Sequence, residues 1–240
     1  MTAELIVASY NVWVQAPQNT TAQLELLWAE GVEIAGLQEV SEGVSTPEVA
    51  GGSVVNRLSV IESGPFEHVA FGKAITYGGG QYGNAIISRR KFTGVETLNL
   101  PRAAAAEDRC ALRADILLDS DAVSFYTAHL SFESTRLRTL QLQVLKRMMD
   151  EDPNEYRILT ADFNTDQNLD ELDLFRPDYQ LVNGNEDDWR ETFRGDMDSE
   201  MKHRMIDNII VSKNIKVLDW DVVDSDLSDH SPLKAALILD

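Results

Sequence analysis

The stretch "RILTADFNTD", residues 157–166, is an apolar, strand-like run that breaks into Asp162, Asn164 and Asp166 within five residues. Asp and Asn are common in turns because their side chains hydrogen-bond nearby backbone N–H groups. Taken alone, the pattern therefore fits a buried strand that simply ends in a turn. Its meaning depends on whether other strands of the chain end in the same kind of residue.

Length and composition indicate a globular protein. The chain has 240 residues, of which 43% are hydrophobic, and we expect one domain over residues 1–240. The first ten residues, "MTAELIVASY", lack the basic region and cleavage site of a secretory signal, and no apolar stretch approaches the roughly 20 residues of a membrane span. We therefore expect a cytoplasmic monomer that does not contact membranes.

The single cysteine, Cys110, cannot form an internal disulfide. It precedes an apolar strand-like run, and no local Cys/His signature accompanies it. A structural thiol is favoured over a nucleophile.

The net charge of −19, from 21 basic and 40 acidic residues, restricts the partners of the chain. Such a field repels polyanions, so nucleic-acid binding through a broad basic face is disfavoured. A phosphate-bearing substrate remains compatible, because a bound cation inverts the local field.

Short apolar runs of strand length recur along the chain and alternate with few helices, which favours a mixed α/β sandwich. Two helices are predicted. One follows Thr20 or Thr21 as N-cap, runs through "AQLELLWAE" with Leu24, Leu27 and Trp28 on its apolar face, and stops at Gly31. The other follows Ser134, ends before Pro153, and has an apolar face of Leu137, Leu140, Leu145 and Met148. Residues 41–57 and 73–83 are predicted loops, and "YGGGQYG" lacks the Lys-Ser/Thr of a nucleotide-binding loop.

Polar groups recur at the ends of six predicted strands. The residues are Asn11, Glu39, His129, Asp162 with Asn164, Asp207 at the start of its strand, and Asp229-His230 before the last strand. If these ends meet at one rim, four carboxylates lie together, which is costly unless a cation offsets their repulsion. Carboxylate and amide oxygens without cysteine indicate a hard divalent cation, Mg²⁺ or Mn²⁺. The histidines are then free for proton transfer.

Eight motifs carry a resemblance to a known family. In chain order they are "ASYNVW", "GLQEV", "YGNAIISR", "DRCALRADI", "YTAHL", "LTADFN", "RMIDNIIVS" and "LSDHSPL". Together they resemble the endonuclease/exonuclease/phosphatase superfamily over nearly the whole chain. The resemblance implies an α/β fold of the deoxyribonuclease I type, a four-layer sandwich of two packed mixed β-sheets flanked by helices. One departure is Ala161, where the family usually has Gly before the Asp, and we expect it to have a small effect.

The resemblance also implies roles for individual residues. Glu39 is the principal metal ligand, with Asn11 and Asp229 completing the site. His230 is the general base, held in its tautomer by Asp207. Asp162 orients or activates the attacking water, or serves a second metal. The phosphate contacts and the charge stabilisation fall to the remaining residues, Asn164, His129, Arg109 and Asn84.

The expected activity is divalent-metal-dependent hydrolysis of a phosphoester, either a diester or a monoester. A small or single-stranded substrate is favoured over long duplex DNA, because basic residues are scattered and form no long stripe. Two alternatives stay open: an endo- or exonuclease acting on DNA, and a non-catalytic binding module of the same fold. The module is less favoured because all the site residues are present.

Overall fold

A computed structural model describes residues 4–197 and 200–239. Within these residues the helices are α1 (Thr20–Ala29), α2 (Arg57–Glu62) and α3 (Thr135–Glu151), with short 3-10 turns at Pro17–Asn19, Ala50–Gly52 and Leu169–Leu174. The first strands are β1 (Glu4–Asn11), β2 (Ile34–Val44), β3 (Val55–Asn56), β4 (His68–Tyr77), β5 (Gly80–Ser88), β6 (Phe92–Asn99) and β7 (Cys110–Leu118). They are followed by β8 (Asp121–His129), β9 (Tyr156–Asp162), β10 (Tyr179–Leu181), β11 (Asp207–Ser212), β12 (Ile215–Val222) and β13 (Leu233–Leu239).

The strands form two mixed sheets. The first has the order β12-β13-β1-β2-β5-β4, with β3 paired to β2, and the second has the order β10-β11-β9-β8-β7-β6. One neighbouring pair in each sheet is parallel, β1 with β2 and β8 with β9, and the other pairs are antiparallel. Parallel neighbours end at the same edge, so Asn11 lies opposite Gln38 and His129 lies opposite Asp162. β11 runs the other way and begins opposite Asp162, which brings Asp207 to the same edge.

Three apolar layers hold the elements together. The central layer joins the inner faces of the two sheets and contains Val7, Phe125 and Ile158. The outer face of the first sheet packs on α1 and α2, and the outer face of the second packs on α3. This is the four-layer sandwich that the family resemblance implies, and that prediction is confirmed.

Gly36 in β2 allows the two sheets to approach closely. A Cβ atom at this position would lie 2.1 Å from Thr160 Oγ1 and 2.4 Å from Thr127 Oγ1, on the opposite sheet. Two residues further on, Gln38 Nε2 donates a hydrogen bond to Thr127 Oγ1 at 2.9 Å. The sheets are therefore in direct contact just below the edge at which their polar strand ends meet.

The prediction of a loop over residues 73–83 is wrong. These residues form the ends of β4 and β5 and the turn between them, in which Gly78 and Gly79 have positive φ angles of 51° and 81°. Glycine adopts such angles without steric cost, so the Gly-rich segment is a hairpin turn. The predicted loop at 41–57 likewise contains the end of β2 and the short strand β3.

The helix α3 begins at the predicted cap, where Ser134 Oγ accepts a hydrogen bond from the Leu137 N–H. Its buried face is rotated from the predicted one. Leu140 is 45% exposed, and Met149 is fully buried where the sequence pattern favoured Met148. The buried stripe also includes Arg138, which pairs with Glu171 at 2.7 Å. A polar residue on the buried face obscured the hydropathy pattern.

In α1 the N-cap is Asn19 and not Thr20 or Thr21, since Thr20 Oγ1 donates instead to the Pro17 carbonyl at 2.7 Å. Trp28 is 41% exposed and carries the Arg89 guanidinium 3.6 Å above its ring. The described part of the chain contains no helix with the length and apolar character needed to cross a membrane.

Candidate active site

Asn11 links the two sheets at their common edge. Its Nδ2 donates to Glu39 Oε1 on the neighbouring strand and to Asp162 Oδ2 on the opposite sheet, both at 3.0 Å. The second Glu39 oxygen accepts the Val14 N–H at 2.7 Å. One amide thus fixes the relative positions of two carboxylates that are 123 residues apart in the sequence.

Glu39 lies at an irregularity in β2. Its φ angle is +64°, and the pairing of β2 with β5 shifts register between Leu37 and Val40. Such bulges redirect a side chain out of the regular strand alternation. A non-Gly residue in this region of backbone space is strained, and such strain is concentrated at functional sites.

Arg57 of α2 lies beneath this irregularity and is buried. Its NH1 donates to the Val12 carbonyl at 2.9 Å and lies 3.5 Å from the Glu39 carbonyl. Burial lowers the pKa of Arg57 to about 10, with Glu39 acting in the opposite direction. Sequence reasoning missed this residue, since a single Arg in a predicted loop gives no signal of burial.

His230 lies between two buried carboxylates. Its Nδ1 lies 2.7 Å from Asp207 Oδ2, and its Nε2 lies 3.7 Å from Asp162 Oδ2. The imidazole and the Phe193 ring pack in a T-shaped arrangement at a centroid distance of 5.2 Å. Asp207 therefore fixes the ring orientation and directs Nε2 toward the cleft.

The buried charges raise the pKa values of this group. Burial lowers the pKa of His230, but Asp207 and Asp162 outweigh it and raise the value to about 10. Burial and the Asp207 charge raise the pKa of Asp162 to about 7. Burial and, further, Glu39 raise the pKa of Asp229 to about 6. Burial and the neighbouring carboxylates thus act together, and these groups hold their protons more tightly than in solution.

His129 and Asn164 lie beside Asp162. His129 Nε2 is 3.4 Å from Asp162 Oδ2, and burial together with the nearby Arg109 charge holds the pKa of His129 well below its usual range. Asn164 has a φ angle of +51° and donates its backbone N–H to Asp162 Oδ1 at 3.0 Å. Its Nδ2 donates to the Leu130 carbonyl at 2.9 Å. Because its pKa is held below the usual range, His129 is a neutral imidazole at physiological pH.

Arg109 is 4% exposed and lines the cleft. Its NH1 lies 3.2 Å from Glu107 Oε1, a neighbour that sequence reasoning missed. Arg109 immediately precedes β7, and the structure brings it to the same rim as the histidines.

Three predicted site residues, Asn11, Asp207 and Asn84, do not line the cleft, and Asn84 is set back from it behind Cys110 of β7. It is buried, and its Nδ2 donates to the Cys110 carbonyl at 2.9 Å. Cys110 is buried as well, which raises the pKa of its thiol to about 11. Asn84 therefore lies behind Arg109, and the thiol is protonated and structural.

Two hydroxyl side chains, which carry no metal-ligand or acid–base signal of their own, also support the site. Ser228 Oγ donates to the Asn11 carbonyl at 2.7 Å and accepts the His230 N–H at 3.2 Å. Thr192 Oγ1 accepts the Asp207 N–H at 3.1 Å. Ser228 lies inside the "LSDHSPL" motif and could have been found there as a turn residue. Ala161, the departure from the family motif, packs its methyl group in the core under α3.

The donors at this edge fit a divalent metal ion. Asp162, Asp207 and His230 each offer a ligand atom, and these atoms lie within 4.8 Å of one another. Asp207 Oδ1 is buried and has no hydrogen-bond partner in the described structure. With Glu39 and Asp229 close by, the set consists mainly of hard carboxylate oxygens, which Mg²⁺ and similar cations prefer.

The rim opens into a cleft of about 650 Å³. Its floor contains Glu39, His129, Asp162 and His230, and apolar side chains of the β4–β5 hairpin form part of its wall. A volume of this size accommodates a compact organic phosphate.

Comparisons with known proteins agree with this fold. A structure of an endonuclease/exonuclease/phosphatase family protein from Bacteroides thetaiotaomicron superposes with a TM-score of 0.77 at 17% identity, over 100% of this chain and 99% of that chain. A mannosyl-6-phosphatase from the same organism gives 0.71 at 17%, over 98% and 100%. D. rerio TDP2 complexed with a single-stranded DNA product gives 0.75 at 15%, over 98% and 99%.

Curated protein sequences give no significant match. Residues 8–230 match the sequence pattern of the Endonuclease/Exonuclease/phosphatase family. Members of this family hydrolyse phosphoester bonds. The match includes every predicted site residue from Asn11 to His230, and the chain therefore belongs to the endonuclease/exonuclease/phosphatase family.

Proposed function

We propose that the protein is an Mg²⁺- or Mn²⁺-dependent phosphoester hydrolase that acts on a small or single-stranded substrate. The observation that carries the proposal is the buried Asp207–His230 pair, which directs an imidazole nitrogen toward Asp162 beside the Asn11–Glu39 contact. A proton-transfer group next to clustered carboxylates is the arrangement that metal-assisted hydrolysis requires.

Glu39, Asp229 and Asn11 would hold the cation. The alternative ligand set of Asp162, Asp207 and His230 is less suited, because Asp207 and His230 already bond each other. When bound, a divalent cation supplies positive charge beside the phosphate oxygens and offsets the carboxylate field that raises the pKa of His230.

His230 takes the proton of the attacking water at Nε2, while Asp207 holds the ring through Nδ1. The water oxygen forms the new bond to phosphorus, and the bond from phosphorus to the leaving oxygen breaks. Asp162 lies 3.7 Å from Nε2 and orients the water. No covalent enzyme intermediate forms, so the single in-line displacement should invert the configuration at phosphorus.

The phosphate oxygens are held by Asn164, His129 and Arg109. His129 is neutral, and its Nε2 faces the same carboxylate as His230. Such fixed donors stabilise charge that develops in the transition state without having to reorganise. Asn84 acts indirectly, through its hydrogen bond to the Cys110 carbonyl next to Arg109.

The net charge and the cleft support a compact substrate. Long duplex DNA requires several basic side chains to neutralise its phosphates. Here 40 acidic residues oppose 21 basic ones, and Arg109 is already beside Glu107.

The second candidate is an endo- or exonuclease. The observation in its favour is the structural likeness to D. rerio TDP2 complexed with single-stranded DNA product. Supercoiled plasmid, single-stranded DNA and short phosphodiesters, compared at matched Mg²⁺ and salt, separate the candidates. Efficient plasmid nicking with little small-ester turnover would establish the nuclease.

The decisive variant is His230→Ala. We expect kcat on a chromogenic phosphoester to fall by about 100-fold or more, the usual effect of removing a general base, with a much smaller change in KM. His68→Ala is the matched control, because His68 lies on β4 outside the cleft and packs on Phe92. Activity within a few-fold of wild type would remove His230 from the mechanism, and inactivity of the wild type on every ester would favour a binding module.

A further inference from the structure

Trp13 is held in an unusual conformation at the wall of the cleft. Its φ angle is +53°, a region that bulky residues rarely adopt. Its backbone N–H donates to Asn11 Oδ1 at 3.0 Å, which fixes the backbone at Trp13 to the residue that links the two sheets. The side chain is half-buried and lines the cleft.

Phe132 lines the same cleft three residues after His129. It is 62% exposed, although an exposed phenyl ring gains nothing from solvent. The Arg109 guanidinium lies 6.0 Å from the ring centroid, which places the ring next to the cation of the site. Two aromatic side chains that line the cleft are thus available to a bound molecule.

The charges beside Phe132 do not favour a second phosphate. Glu107 and Glu133 both line the cleft, and the Glu107 N–H donates to Glu133 Oε1 at 2.8 Å. Burial raises the pKa of Glu133, but hydrogen bonds from Ser131 and the Glu107 backbone outweigh it and lower the value, so this carboxylate is ionised. Among the described residues that line the cleft, Arg109 is the one lysine or arginine.

We propose that the substrate carries one phosphate group and an uncharged aromatic group that packs on Trp13 and Phe132, while Glu107 and Glu133 exclude polyphosphorylated compounds. The inference rests on the proposed function, because it takes the phosphate to be held beside His230, His129 and Arg109. It narrows that function to small substrates with one phosphate, since a single-stranded nucleic acid carries several. Aromatic rings contribute binding energy beyond their buried area, and like charges across a desolvated cleft repel.

The aromatic part is tested with calorimetry on non-hydrolysable ligands of equal charge, phenylphosphonate and methylphosphonate, in Mg²⁺ buffer. The wild type should bind phenylphosphonate more tightly. Phe132→Ala should weaken phenylphosphonate binding by about 2- to 12-fold, the range for one aromatic contact, and leave methylphosphonate unchanged. Leu140→Ala is the control, since Leu140 is similarly exposed but lies on α3 away from the cleft.

The charge part is tested with 1,4-phenylenebisphosphonate, which adds a second anionic group to the same ring. We expect it to bind more weakly than phenylphosphonate. Glu133→Gln should reduce this difference about twofold or more at low salt, because it removes one charge and keeps the acceptor for the Glu107 N–H.

Three outcomes would overturn the inference. Equal affinity for the phenyl and methyl compounds would remove the aromatic subsite, and tighter binding of the bisphosphonate would remove the charge filter. In both cases the proposed function stands, because a phosphonate is bound. Binding of none of the ligands would overturn the phosphate site itself and, with it, this inference.

Discussion

Replacing Asp162 by Asn should stabilise the metal-free protein at pH 8 while abolishing activity. Burial and Asp207 raise the pKa of this carboxyl from 3.8 to about 7. A group with a raised pKa binds its proton more tightly in the folded state, so its ionisation opposes folding. The unfolding free energy therefore falls as the pH rises from about 4 to 7, and the loss is complete above that range.

The magnitude follows from the same shift. One pKa unit corresponds to about 1.4 kcal/mol, so ionised Asp162 costs about 4 kcal/mol at pH 8. Asn cannot ionise, and its oxygen can keep the hydrogen bond from the Asn164 N–H. In the variant, the new side-chain NH₂ group would face Asn11 Nδ2, which in the wild type donates a hydrogen bond to Asp162 Oδ2. The loss of this hydrogen bond costs about 1–2 kcal/mol. The net gain is about 2–3 kcal/mol at pH 8, and at pH 4 it vanishes or reverses.

Urea unfolding in EDTA, followed by the fluorescence of the four tryptophans, measures the difference at both pH values. Asp121→Asn is the control, because Asp121 is exposed at the start of β8 and should give no pH-dependent difference. If Asp162→Asn is no more stable than wild type at pH 8, the carboxylate is compensated by other contacts, and the reasoning fails.

Three further predictions concern the metal and the packing of the sheets. Glu39→Gln should weaken Mg²⁺ binding in calorimetry by at least about tenfold, whereas exposed Glu96→Gln should not change it. In EDTA the wild-type melting temperature should fall between pH 5 and pH 8, since ionisation of Asp162 and of Asp229 (whose pKa is raised to about 6) opposes folding. Saturating MgCl₂ should remove most of that fall. An unchanged dependence of the melting temperature on pH would contradict a cation at these carboxylates. Gly36→Ala should cost about 1–3 kcal/mol in urea unfolding because the sheets touch there, and Thr160→Ala in the same chain should recover part of it; wild-type stability of the single variant would contradict the close contact.

The strand ends were accessible from local sequence. An apolar run that stops at a carboxylate, amide or imidazole marks both a buried strand and a candidate ligand, as at Asp162 and His129. The order of eight such motifs then identified the family, because each weak motif restricts the position of the next. The β4–β5 hairpin was missed although its Gly78–Gly79 turn is a local signal. The pairing of β5 with β2 was not accessible, since the paired residues are 39 to 54 positions apart in the chain.

The sequence by itself determined which polar residues close the strands, and their charge predicted a cation. The tertiary structure alone decided which of them meet. Asn11 contacts Asp162 across 151 residues of chain, Arg57 supports the Glu39 bulge from helix α2, and Asn84 lies behind the cleft rather than in it. The physical reason is that a strand end fixes only the position of a side chain along its own strand. Its partners are set by the packing of one sheet on the other, to which distant segments contribute together.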